Sequence, residues 1–76
     1  MKRVSNFLKK HGIEVYDAQM PDWSVGIFSG YVVYEIRGQL REMDWNEINE
    51  IMYEFGKGKI ADLEESLWIN SFEFVE

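Results

Sequence analysis

The sequence has no cysteine and no threonine, a single proline and a single histidine. Without cysteine the chain has neither a disulfide nor a thiolate that could bind metal or act as a nucleophile. A histidine-based metal site would rest on His11 and be completed by carboxylates alone. The serines lack an elbow motif, and the six glycines form neither a phosphate loop nor a dinucleotide fingerprint. These absences predict a protein that is not an enzyme and that uses no metal or cofactor.

Long apolar runs are also missing. Residues 1–12 place four basic residues around three large apolar ones, which is unlike the apolar run of roughly 7–15 residues in a signal peptide. No stretch approaches the roughly 20 apolar residues that span a bilayer. A chain of 76 residues is also too short to divide, because it buries only about 60% of its unfolded surface. We expect one cytoplasmic domain over residues 1–76 that does not enter a membrane.

What the chain does contain is apolar material and unevenly placed charge. Hydrophobic residues make up 46% and aromatic residues 16%, which is enough for a packed core. The formal charge is -6: residues 1–12 hold four basic residues and no acid, whereas residues 44–76 hold nine carboxylates and two lysines. Neutralising phosphates needs several clustered cations, so no direct binding to nucleic acid is expected. The acidic half suits a basic protein partner, or a protein surface that itself binds nucleic acid.

Periodicity in the first half predicts a helix followed by strands. An apolar stripe at helical spacing is closed by Gly12, and residues 13–19 alternate as a strand. The stripe consists of Val4, Phe7, Leu8 and His11. Two β-rich runs, residues 23–28 and 31–36, flank Ser29-Gly30, which predicts a tight hairpin. One face of this hairpin would point into the core with Trp23, Val25, Ile27, Val32, Tyr34 and Ile36. Residues 39–43 fit either a short edge strand or a connection.

The second half predicts two helices and a closing strand. Asp44 with Glu47 three residues later is typical of a helix N-cap, and residues 56–58 end that helix. A shorter helix is expected over residues 60–67 and an alternating strand over residues 70–75. The order α-β-β-β-α-α-β predicts a single two-layer α+β domain, with helices packed on a mostly antiparallel sheet. The three tryptophans, Trp23, Trp45 and Trp68, are expected to lie in the core.

Two surfaces are candidates for binding a partner. The first is a row of helical carboxylates, Glu47, Glu50, Glu54, Asp62, Glu64 and Glu65. Such a row could imitate nucleic-acid phosphates, although it also fits a solvated helix face with acids near helix N-termini. The second is an apolar trio on the outer face of the predicted hairpin, Phe28, Tyr31 and Val33. It is either a contact surface or a second small core covered by the first helix or a loop.

A compact, acidic, cysteine-free α+β chain of this size, rich in aromatics and without catalytic motifs, resembles the small phage-encoded inhibitors of bacterial defence, the anti-CRISPR and anti-restriction proteins. The resemblance lies in size, charge and element order. It implies a non-enzymatic protein in the host cytoplasm that blocks a CRISPR effector or another nucleic-acid-processing complex through an acidic or an aromatic surface. The alternative is a small structural or regulatory homodimer that pairs through its sheet face.

Overall fold

The computed structural model describes residues 2–75, which form three helices and a four-stranded sheet. In chain order the elements are α1 (Lys2–Lys10), β1 (Glu14–Gln19), a 3₁₀ turn (Trp23–Val25), β2 (Tyr31–Ile36), β3 (Gln39–Asp44), α2 (Trp45–Gly56), α3 (Leu63–Ile69) and β4 (Phe72–Glu73). The strands lie in the order β1-β2-β3-β4, and each neighbouring pair is antiparallel. The α+β class and the order of helices and strands are therefore confirmed.

The tight hairpin lies one turn later in the chain than the sequence analysis places it. Arg37-Gly38 joins β2 to β3, with Ile36 opposite Gln39, and the two turn residues have φ of 54° and 75°. Positive φ at both central residues is the type I′ geometry, whose twist matches that of the flanking strands. Residues 39–43 consequently form a central strand rather than an edge or a connection.

The predicted hairpin over Ser29-Gly30 is wrong, because residues 23–28 do not form a strand. Asp22 Oδ1 accepts hydrogen bonds from the Ser24 N–H (3.1 Å) and from Ser24 Oγ (2.6 Å), and Gly26 takes a left-handed φ of 77°. Local side-chain bonds of this kind compete with strand pairing. The chain coils into a 3₁₀ turn instead, and β2 pairs with β1 on that side. Trp23 and Val25, expected in the core, are exposed.

One apolar core lies between the sheet and the helices. Its buried members come from α1, β2, β3, α2, α3 and the residue before β1. They are Val4, Leu8, Ile13, Val32, Tyr34, Ile36, Met43, Ile48, Ile51, Met52, Leu63 and Leu67. Since the alternate residues Val32, Tyr34 and Ile36 share this core with all three helices, the helices cover one face of the sheet. The opposite face carries the side chains of Tyr31, Val33 and Glu35 and is called the open face below.

Two of the helices, α2 and α3, begin directly after an aspartate that caps them. Asp44 Oδ2 accepts from the N–H groups of Asn46 (3.0 Å) and Glu47 (3.4 Å), which confirms the predicted start of α2. Asp62 caps α3 by accepting from the Glu65 N–H at 3.1 Å. The second cap explains why α3 begins at residue 63 rather than at residue 60.

Polar contacts tie the sheet to α3 on the helix side. Tyr34 is fully buried, and its hydroxyl donates to the Leu67 carbonyl at 3.0 Å. Arg41 donates to Ser71 Oγ (3.0 Å), to the Ser71 carbonyl (2.7 Å) and to the Trp68 carbonyl (3.0 Å), and its guanidinium lies 4.1 Å from the Trp68 ring centroid. Burial raises the pKa of Tyr34. These contacts make the helix side the fixed half of the molecule.

Candidate functional site: an aromatic loop and the open sheet face

The segment between β1 and β2, residues 20–30, is here called the aromatic loop. Its base is closed by two backbone hydrogen bonds, from the Asp22 N–H to the Ile27 carbonyl (2.7 Å) and from the Ile27 N–H to the Asp22 carbonyl (3.0 Å). The 3₁₀ turn lies between these bonds and is capped by the Asp22 carboxylate. The loop therefore has a defined backbone conformation.

The aromatic loop is anchored to the rest of the fold at its second end. The Trp45 N–H, at the start of α2, donates to the Gly30 carbonyl at 3.0 Å. A Cβ atom added at Gly30 would collide with the Gln19 carbonyl and with the Pro21 ring. Glycine at this position lets the end of the loop pass directly over the end of β1.

The aromatic loop turns large apolar side chains into solvent. Trp23 is 74% exposed and Phe28 is 64% exposed. Their ring centroids lie 5.0 Å apart at 66°, an edge-to-face arrangement. Val25 and Met20 of the same loop are also exposed. Aromatic side chains displayed together on a structured backbone are characteristic of energetic hot spots in protein interfaces.

The open face of the sheet continues from the base of this loop, at the pair Gln19 and Tyr31. Its positions are Tyr31, Val33 and Glu35 of β2 together with their cross-strand partners on the neighbouring strands. The partners are Glu14, Asp17, Gln19, Leu40, Glu42 and Asp44, with Phe72 opposite Glu42. The charged residues in this set are all acidic. At the edge of β4, Phe72 is 72% exposed.

The carboxylates of the open face raise the pKa values of two neighbouring tyrosines, Tyr31 and Tyr16. The Tyr31 hydroxyl donates to Asp17 Oδ2 at 3.0 Å, and this hydrogen bond raises the pKa of Tyr31. The negative charges of Glu14 and Glu35 raise the pKa of the exposed Tyr16. In both cases a neighbouring carboxylate opposes the formation of a second negative charge.

The structure separates the apolar trio that the sequence analysis grouped together. Tyr31 and Val33 share the open face, but Val33 is only 2% exposed, whereas Phe28 lies outside the strand in the aromatic loop. Phe28 has Trp23 as its neighbour instead. The exposed aromatic surface is therefore built from Phe28 and Trp23, and Trp23 was missed as a surface residue. The available signal was Asp22-Trp23-Ser24 followed by Gly26, the spacing of a side-chain-capped turn.

The predicted row of helical carboxylates is divided between different contacts. Asp62 caps α3, while Glu64 and Glu65 accept hydrogen bonds from Arg37 Nε (3.0 Å) and Nη2 (2.8 Å). On α2, Glu54 lies 3.7 Å from Lys59. Of the six, Glu50 is exposed and Glu47 is half-buried in the first turn of α2. Four of the six carboxylates in this row thus already contact groups of their own chain.

Comparisons with protein families, with curated proteins and with solved structures found no match to this chain. In the part of the chain that the structure describes, no helix is long and apolar enough to cross a membrane. The same residues contain no group of three or more histidine and carboxylate side chains placed to hold a metal ion.

Proposed function

We propose that this chain is a non-enzymatic protein-binding inhibitor, encoded by a phage or a mobile element, that blocks a CRISPR effector or another nucleic-acid-processing defence complex in the host cytoplasm. The observation that carries the proposal is the aromatic loop, which exposes Trp23 and Phe28 from a hydrogen-bonded backbone. The size, charge and element order of the chain resemble those of known defence inhibitors. The loop supplies the contact that such an inhibitor needs.

The energetics favour the aromatic loop as the anchor. Burying one large apolar side chain contributes on the order of 1.5–3 kcal/mol, so Trp23 and Phe28 together offer several kcal/mol. A loop whose base is already closed loses little conformational freedom on binding, so less of that gain is offset by ordering. A pocket on the partner that accepts the two rings would therefore bind them tightly.

The charge of the open face defines the surroundings of that pocket. Glu14, Asp17, Glu35 and Glu42 lie on this face, and no basic residue occupies its cross-strand positions. Proteins that bind nucleic acid present cationic grooves, which an acidic sheet next to an aromatic anchor would complement. The same charge opposes the homodimer alternative, because two open faces would bring like charges together.

An interference assay tests the proposal. Cells with an active CRISPR system of the source host are challenged with a targeted plasmid, with and without this protein. The protein is expected to restore plasmid survival, and the double variant Trp23→Ser/Phe28→Ser to abolish that rescue. The matched control is Tyr53→Ser/Ile69→Ser, which removes two exposed apolar side chains from the helices and should retain rescue. Full rescue by the loop variant would contradict a role for the loop.

Charge reversal decides between the two acidic surfaces. Replacing Glu14, Glu35 and Glu42 with lysine should abolish rescue if the open face meets the partner, whereas replacing Glu47, Glu50 and Glu54 should do so if the helical row imitates nucleic acid. Both triple variants change the net charge equally. Light scattering of the free protein checks the alternative: a mass near 9.1 kDa at high concentration would count against a stable homodimer.

A further inference from the structure

A groove of about 700 Å³ follows β1 on the side that faces α1. Residues 12–18 line one side of it, and Ser5 and Lys9 of α1 line the other. The aromatic loop contributes none of its lining residues, but Glu14 and Asp17 of the open face do line it. The groove is thus a further surface that adjoins the open face along β1.

The strand that forms the groove is an edge strand. In the sheet order β1-β2-β3-β4, β1 has a strand neighbour only on the β2 side. The backbone groups on its other side are a template for an added strand. One backbone donor of β1 is already occupied, because the Ala18 N–H donates to Asp17 Oδ1 at 2.8 Å. The opposite edge is β4, which has only two residues, Phe72 and Glu73. The six residues of β1 span roughly 20 Å at about 3.3 Å per residue, so β1 is the edge long enough to take another strand.

The side chains along the groove determine what such a strand must contain. Val15 and Ala18 are half-buried and pack against the core, so they give the groove an apolar floor. Glu14 and Asp17 alternate with them and are exposed on the other side of β1. Cross-strand neighbours interact most favourably when apolar faces apolar and opposite charges meet. Lys9 lies on the α1 side of the groove, so a basic residue is favoured only on the side of Glu14 and Asp17. The complementary strand therefore alternates small apolar residues, which face α1, with lysine or arginine on the other side.

From this placement we propose that the edge of β1, together with the facing side of α1, binds an extended segment of a protein partner in which apolar and basic residues alternate. The segment adds to the sheet as a fifth strand. The site shares Glu14 and Asp17 with the open face and shares no residue with the aromatic loop. The loop variants of the interference assay therefore leave it intact, so either proposal can fail without the other.

A second copy of this chain is a poorer occupant of the groove. Two β1 strands side by side would bring Glu14 and Asp17 of each copy close to those of the other, and like charges across a strand pair are destabilising. The register shift between Val15 and Asp17 is a β-bulge, which opposes regular pairing with a second copy and with a foreign strand alike. The choice between the two occupants therefore rests on charge, which favours a different protein with basic residues.

Nuclear magnetic resonance titration of the full chain tests the site. The probe is an acetylated and amidated heptapeptide of alternating lysine and valine, added up to millimolar concentration. We expect saturable shifts of the backbone amides of residues 13–18, and slower hydrogen exchange of β1 amides in the complex. Unchanged β1 amides at the highest concentration, or shifts that follow acidic residues over the whole surface, would overturn the proposal.

Two matched controls separate strand addition from attraction by charge. The same peptide with N-methylated backbone nitrogens keeps its charge but cannot complete the strand ladder, so it should not bind; equal binding would overturn strand addition. Glu14→Lys should weaken binding of the unmodified peptide by about three- to tenfold. Glu50→Lys makes the same charge change on an exposed position of α2 and should alter binding less than twofold. Equal weakening by both variants would show attraction by net charge alone.

A final measurement on the free protein tests whether a second copy occupies the groove. Hydrogen exchange of β1 amides is measured at low and high protein concentration without peptide, and it should be the same. Protection of β1 that increases with protein concentration would identify a second copy as the occupant and overturn the assignment to a different protein.

Discussion

The helix side of the sheet and the aromatic loop place their large side chains in opposite environments. On the helix side, Tyr34 is fully buried and its hydroxyl donates to the Leu67 carbonyl. Arg41 donates to two carbonyl oxygens and one hydroxyl oxygen. Within residues 2–75, no buried side-chain nitrogen or oxygen lacks a hydrogen-bond partner. In the aromatic loop, Trp23 and Phe28 contact each other and remain largely in solvent. The comparison shows that the helix side stabilises the fold, while the aromatic loop and the exposed carboxylates Glu14 and Asp17 are available for contact.

The largest difference between the two regions is expected when one large apolar residue is truncated in each. Ile48→Ala, in the centre of the core, should lower the free energy of unfolding by about 2–5 kcal/mol through lost burial and a cavity. Trp23→Ala should change it by less than about 0.5 kcal/mol, since the indole is exposed. Urea unfolding measures both. A loss on Trp23→Ala as large as that on Ile48→Ala would show that the loop supports the fold.

A second prediction concerns the polar contacts between the sheet and α3. Arg41→Met keeps part of the side-chain volume but removes the donor to the Ser71 carbonyl, which should cost about 1–3 kcal/mol. The Trp68 carbonyl loses one donor and still accepts from Ser71 Oγ at 3.2 Å. Arg41→Lys keeps the charge and loses the planar fork, so it should fall between the wild type and Arg41→Met. Urea unfolding of the three proteins tests this order. Equal stability of Arg41→Met and the wild type would contradict it.

The buried tyrosine gives a pH dependence with a defined sign. Burial raises the pKa of Tyr34, so the folded chain holds this proton more tightly than the unfolded chain does. The stabilisation is complete below the ordinary tyrosine pKa of about 10 and is lost as pH rises through the folded value. Tyr34→Phe should cost about 1 kcal/mol at neutral pH through the lost bond to Leu67.

The same variant should also lose stability less steeply above pH 10. Some decline is expected to remain, because the pKa values of Tyr16 and Tyr31 are raised as well. Urea unfolding between pH 7 and pH 11 measures both slopes, with Tyr53→Phe on the exposed surface of α2 as the control. Identical slopes for Tyr34→Phe and the wild type would refute the assignment to Tyr34.

The smallest effect is expected at the hairpin turn. Arg37→Ala removes the ion pairs to Glu64 and Glu65 but keeps a Cβ at the left-handed position, so backbone strain is unchanged. These pairs are exposed, and such pairs contribute little and are screened by salt. The urea midpoint should fall slightly at low salt and match the wild type near 1 M salt. A large fall that persists at high salt would give this turn a greater structural role.

The parts of the fold that could be predicted are those with signals within a few residues of each other. The stripe ending at Gly12 and the cap at Asp44 each specify a helix end from local chemistry, and the structure confirms both. The position of the hairpin turn was not local in this sense. Ser29-Gly30 has the better composition, but Asp22 draws the preceding residues into a capped turn, and Arg37-Gly38 forms the hairpin although arginine rarely adopts positive φ.

The prediction of the candidate site depended on the same placement of the hairpin. An aromatic pair at Trp23 and Phe28 could not be predicted once residues 23–28 were assigned to a strand, because alternation places those two residues on opposite faces. The carboxylates of the open face were equally hidden, since Asp17 and Glu42 come together only through the register with Val33. Sequence composition indicated an acidic and aromatic surface, and tertiary pairing determined where it lies.

The most direct test of this account is a hydrogen-exchange footprint of the protein bound to the CRISPR effector that it blocks in the interference assay. Slower exchange is predicted in residues 20–30 and along the strands of the open face, with α2 and α3 exchanging as in the free protein. Slower exchange confined to α2 and α3, with the aromatic loop unchanged, would contradict the account and assign recognition to the helical carboxylates.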